Sequence, residues 1–183
     1  MYSRKYIFLF WFLITFICGY SQNQSRLVSL KLSNVEIQDS CLSFNIMLHN
    51  ADNNSFTIYK PFLKDICSGV MKCYFINTET KLRHEIFPCN EIVQSLAIIL
   101  NEKNSVYLEK NEYFIKELMI NLKEFSPHLR DGNYLFIAEF YLEDIVFETS
   151  LPNVLKTNLV SNKIELHLDI ENKMHWNCFS NIK

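Results

Sequence analysis

The chain has 183 residues, with 18 basic and 20 acidic side chains and an apolar share of 49%. That share excludes intrinsic disorder. The slightly acidic balance excludes a nucleic-acid partner, which would require a basic face to displace phosphate counterions.

The first residues predict the compartment. Arg4 and Lys5 precede an almost wholly apolar run from Tyr6 to Ile17, and Gly19-Tyr20-Ser21 places small residues just before Gln22. This is the layout of a secretory signal peptide over residues 1–21, with Cys18 inside the discarded segment. The apolar run is shorter than the ~20 residues that a membrane-spanning helix needs. The expectation is therefore a secreted or periplasmic protein with no stable span after cleavage. A single domain is expected over 22–170, followed by a tail at 171–183. The mature chain then has 162 residues (183 − 21) and a net charge of −4 (16 basic against 20 acidic). It keeps five cysteines, Cys41, Cys67, Cys73, Cys89 and Cys178, an odd number that leaves at least one thiol unpaired or bonded between chains.

Alternation marks the first strands. Val28, Leu30 and Leu32 share one face, and Gln38-Asp39-Ser40 turns the chain. Leu42, Phe44, Ile46 and Leu48 then point inward. Asn50 to Ser55 reads as a polar loop and Phe56 to Tyr59 as a strand that Pro61 ends or confines to an edge. Val70–Ile76 and Leu82–Phe87 flank Asn77-Thr78-Glu79-Thr80 as a hairpin. Folding it about Glu79 sets Cys89 opposite the region just after Cys67. Opposed strand positions are about 4.5–5.5 Å apart, so Cys67–Cys89 is the expected disulfide, with small apolar fillers as the alternative.

Leu96 to Leu100 is a nearly unbroken apolar run within Val93–Leu100, expected by its length as a buried strand, with a helical turn as the alternative. Val106–Leu108 and Tyr113–Ile120 lie either side of a turn at Glu109–Glu112, and Leu122–Leu129 suits one helical turn. Tyr134–Leu142 is the expected central strand, and Asn162–Ile170 alternates as a terminal one. Short strands with turns every 8–12 residues indicate an all-β sandwich.

Asp131-Gly132-Asn133 is turn chemistry, and Tyr134 follows it at the start of the densest apolar strand. This run resembles the tyrosine corner of immunoglobulin-like sandwiches, except that Phe136 stands where their cysteine would be. The resemblance implies an antiparallel immunoglobulin-like β-sandwich, with Asp131, Gly132 and Tyr134 as structural residues and the Tyr134 hydroxyl bonded to backbone near Leu129. The strand ending in Asn50, its polar loop and the strand closing at Pro61 are similar to a pattern in exported sandwich domains.

Chemistry is sparse. The sequence contains no H-E-x-x-H, G-x-S-x-G, G-x-G-x-x-G or P-loop motif, and only three glycines. His167, His175 and Cys178 could meet as metal ligands only on a rigid tail. Cys73 beside Lys72 reads as a strand residue, not a nucleophile. Glu143-Asp144 and Asp169 with Glu171 read as solvating acids, and Asp52, Asn53 and Asn54 as a thin Ca²⁺ loop. No catalytic residue, cofactor or metal is expected. The expected function is a non-enzymatic binding or accessory module for a protein or envelope component, with Tyr59, Phe62 and Trp176 as first anchors. The Leu108–Phe140 segment is also similar in plan to inhibitor or propeptide domains of secreted proteases, which makes a protease regulator the alternative. A hydrolase with an unfamiliar site is the third reading.

Overall fold

The computed structural model describes residues 28–38, 41–62, 64–86, 97–122 and 129–169. In chain order the strands are β1 (Val28–Gln38), β2 (Cys41–Asn50), β3 (Phe56–Tyr59), β4 (Met71–Asn77), β5 (Arg83–Ile86) and β6 (Ala97–Ile99). They continue as β7 (Ser105–Leu108), β8 (Tyr113–Asn121), β9 (Gly132–Phe140), β10 (Val146–Glu148), β11 (Leu159–Val160) and β12 (Ile164–Leu168). A helical turn, α1 (Lys64–Cys67), lies between β3 and β4.

The chain is all-β, and its two larger sheets are antiparallel. The first sheet has the order β1-β2-β8. The second has the order β11-β9-β4-β5, with β12 also pairing along β9. Two smaller pairs, antiparallel β3–β7 and parallel β10–β6, are added to them. The expected alternation is realised on β2, where Leu42, Phe44, Ile46 and Leu48 are all buried. Their counterparts across the core include Phe75 on β4 and Phe136 and Phe140 on β9. Phe44 meets Phe136 edge-on at 5.0 Å between ring centroids, so the two sheets share one core. Burying each such ring contributes about 1.5–3 kcal/mol relative to exposure.

β9 is central, bordered by β4 on one side and by β11 and β12 in succession on the other. Its entry is set by Gly132, whose φ of +148° disfavours any residue with a Cβ. Tyr134 is buried, and its hydroxyl donates to the Arg130 carbonyl at 3.1 Å, one residue on from the expected Leu129. The break between β11 and β12 is filled by side chains. Ser161 Oγ accepts the Ala138 N–H at 2.9 Å while Ser161 N–H donates to the Ala138 carbonyl. Asn162 then reaches across to β1, accepting the Leu32 N–H at 2.7 Å and donating to the Leu32 carbonyl at 3.2 Å. One amide thus replaces a strand partner and ties β1 to the second sheet, just before the bulge that contains Asn34 at φ 50°.

The polar tract after β2 is a loop because Asn50 organises it. That side chain is fully buried and donates to the carbonyls of Asn54, Leu108 and Glu109 while accepting the Asp52 N–H. One expectation is corrected. Over the described residues 97–100 the apolar run is not a fully buried strand: β6 is three residues long, its described partner is the short β10, and Ile99 is solvent-exposed while Leu100 is buried. As expected, β7 and β8 lie either side of a turn, closed by the Glu112 N–H donating to the Glu109 carbonyl at 3.1 Å, and they pair with β3 and β2 respectively. Cys67 closes α1, just before β4, and the expected Cys67–Cys89 bridge falls on Cys89, which lies outside the described residues. Residues 1–21, Cys89, residues 123–128 and the tail 171–183 lie outside the described residues.

Candidate binding surface

The outer face of the first sheet is asymmetric. On the β1 side it carries Ser29, Lys31 and Ser33, opposite His49, Met47 and Asn45 of β2. Opposite these in turn, β8 presents Tyr113, Ile115 and Glu117, followed by Met119 facing Ser43. Tyr113, Ile115 and Met119 are 57%, 58% and 42% exposed, so an apolar ridge runs down β8 beside half-buried Met47. His49 stacks flat on Tyr113 at 4.2 Å, fixing that ring outward.

β8 is also a sheet edge. Among the described residues its strand partner is β2, and no described strand lies along the other side of Tyr113–Ile120. Phe114, Lys116, Leu118 and Ile120 alternate on its inner face. Lys116 lies opposite Ile46, which is 1% exposed, and its ammonium sits 4.1 Å from the Phe62 ring centroid. An inward charge on an edge strand is a device that discourages indiscriminate strand pairing.

Phe62 is held by its own turn. The buried Asp65 carboxylate accepts the Phe62 N–H at 2.6 Å and the Tyr59 hydroxyl at 2.9 Å. Burial, then the Asp65 charge and hydrogen bond, push the Tyr59 hydroxyl far above its ordinary pKa. Tyr59 is therefore a core ring packed near Phe140 and Phe147, not an exposed anchor.

The outer face of the second sheet holds a denser polar cluster. Arg83 bonds Glu139 at 2.9 Å and lies over the Tyr74 ring at 3.2 Å, while Tyr141 donates to the same carboxylate. Burial pushes the Glu139 pKa up. Hydrogen bonds from Tyr141, Tyr74 and Arg83, with the Arg83 charge, outweigh it and hold the carboxyl below its ordinary range. Tyr74 is raised by burial first and then by its bond to Tyr141. These groups satisfy one another, as a network bracing β4, β5 and β9 would.

The other candidates are dispersed. Cys73 is a fully buried free thiol, and burial together with the Glu85 charge raises its pKa away from thiolate reactivity. Cys41, at the start of β2, is disulfide-bonded. Asp52 caps Asn54 N–H at 2.7 Å, and the Lys110 ammonium bonds Asn53 Oδ1 at 2.6 Å, putting a cation of the protein's own in that loop. Glu143 bonds Asn158, and Asp144 is exposed in the same turn. His167 bonds Asn133 at 2.9 Å. Asp131 is exposed at the bend before β9. Glu171, His175, Trp176 and Cys178 lie outside the described residues. Among the described residues, no group of three or more His, Cys, Asp or Glu is placed to hold a metal. No described helix is long and apolar enough to cross a membrane.

Sequence reasoning missed the β8 ridge. Its signal was present: Tyr113-Phe114-Ile115-Lys116-Glu117-Leu118-Met119-Ile120 is mostly apolar on both faces, broken by one inward lysine, Lys116, and one outward acid, Glu117.

No family model matches the chain, and no curated protein matches it. Two solved structures of a β-glucosidase from Kluyveromyces marxianus, one with glucose and one selenomethionine-labelled, overlap 76% of the chain at 13% and 15% identity. Both have a TM-score of 0.35, and the overlap spans only 14% and 15% of those longer chains. A likeness at that level carries neither fold nor activity across.

Proposed function

We propose that this chain is an exported, immunoglobulin-like β-sandwich that works as a non-enzymatic binding module for a protein of the cell envelope or outside the cell. The carrying observation is the β8 edge, where a strand side with no described partner strand coincides with the exposed Tyr113, Ile115 and Met119. Large exposed apolar residues clustered beside an open edge mark interaction sites more often than isolated ones do. The immunoglobulin-like assignment is supported by the β1-β2-β8 sheet packed on β11-β9-β4-β5 and by the Tyr134–Arg130 bond at the start of β9. Export is supported by the N-terminal layout of basic, apolar and small residues.

The test is site-specific photo-crosslinking from position 115 in cells, with position 31 on the polar side as control. A discrete adduct from 115 that is missing from 31 and is lost in Ile115→Lys/Met119→Lys is the expected result. Equal labelling from both positions would remove the β8 assignment, and a secreted protease as the adduct would turn the reading toward protease regulation.

A further inference from the structure

We propose that the free edge of β8 takes up an extended acidic segment of a partner protein as an added strand, and that Lys116 selects for that acidic character. The inference rests on the binding-module reading and adds the chemistry of the partner.

The geometry carries it as follows. A strand added beside β8 would continue the sheet beyond β2 and β8 along Tyr113–Ile120, where no described strand lies, and would hydrogen-bond the edge-facing backbone groups there. Its alternate side chains would lie beside the outward row of Tyr113, Ile115 and Met119, which is apolar and exposed. On the inner side they would lie beside Phe114, Lys116 and Leu118. The Lys116 ammonium is already withdrawn over the Phe62 ring at 4.1 Å and is only part-exposed. Covering it with a neutral strand strips away its remaining water and leaves an uncompensated charge, an arrangement that disfavours binding. A carboxylate at the neighbouring inward position of the incoming strand removes that penalty. Glu117 faces outward and stays in water, so it imposes no matching demand.

A second copy of β8 fits less well. Two β8 strands paired antiparallel over all nine residues would set Glu117 against Glu117. Of the two registers over seven residues, one would set Lys116 against Lys116 and the other would set Lys116 against Ile120, leaving the covered ammonium without a counter-charge. Directly opposed like charges are unfavourable across strands. The edge is therefore suited to a partner of opposite character, not to its own copy.

The test uses the purified protein and two labelled peptides, Thr-Val-Thr-Asp-Thr-Val-Thr and the same peptide with Lys in place of Asp, followed by fluorescence anisotropy. The Asp peptide is expected to bind at least about tenfold more tightly, a ratio equal to one step of ~1.4 kcal/mol. Lys116→Glu should reverse the preference, and Lys116→Met should abolish it. An unchanged near-ultraviolet circular dichroism spectrum would show that each variant is folded. Equal binding of both peptides, binding of neither, or a preference unmoved by Lys116→Glu would overturn the inference. A 115-specific crosslink in cells would still stand in any of those cases, so the two readings fail separately.

Discussion

Tyr134 uses both parts of its side chain. The ring packs edge-on to Phe75 at 5.9 Å, and the hydroxyl donates to the Arg130 carbonyl four residues upstream. That bond fastens the chain entering β9 at the point where Gly132 has to take positive φ. Removing the hydroxyl leaves the ring packing in place and one part-buried carbonyl short of a donor. Tyr134→Phe is therefore expected to lower unfolding free energy by about 0.5–1.5 kcal/mol. Urea titration with an unchanged m-value would measure it, and a shift of zero would show that the hydroxyl is as well satisfied by water.

At the scale of elements, the two ends of the first sheet are treated in opposite ways. The β1 edge is tied down by Asn162, whose amide takes both polar groups of Leu32 across the gap to the second sheet. The β8 edge has no such clamp among the described residues and carries only the inward Lys116. Asn162→Ala should leave Leu32 N–H and C=O without their partner and free β1 locally. The expected cost is about 1–3 kcal/mol, seen most directly as faster amide exchange at Leu32 while Ile46 in β2 stays protected. Equal acceleration at both sites would mean that the sheet opens as one unit. Period-two alternation made β2 legible from its letters, since Leu42, Phe44, Ile46 and Leu48 share one face to bury on a strand flanked by β1 and β8. A continuous apolar run was a weaker guide at 97–100, where it suggested burial although Ile99, paired there with three-residue β10, is exposed. Asn162 was invisible because an asparagine standing in for a strand backbone looks like any loop polar residue until its partner, 130 positions away, is known.

Across the whole molecule, one sheet carries the open edge and the other carries the charge network. Arg83, Glu139, Tyr74 and Tyr141 join β4, β5 and β9 on the face away from the core. None of this was readable in advance, because it depends on strand register: Tyr74 faces Glu85 and Ile137, and Lys72 faces Glu139. Register also sets a pH dependence. The folded Glu139 pKa lies below its ordinary value, so the unfolded chain binds more protons than the folded one in the acid range. The stability it contributes is fully present above the ordinary glutamate range near ~4.3 and is lost as pH falls through the folded value. The Glu139 side chain is 18% exposed and Arg83 44%, so the pair is partly screened and contributes on the order of 1 kcal/mol. Glu139→Gln is expected to lower stability by about that amount at pH 7 and by much less at pH 3, flattening the acid limb of the curve. Thermal unfolding at a series of pH values would read this directly. Parallel curves for the two proteins would assign the acid sensitivity to other carboxylates and leave Glu139 as a neutral spacer in the sheet.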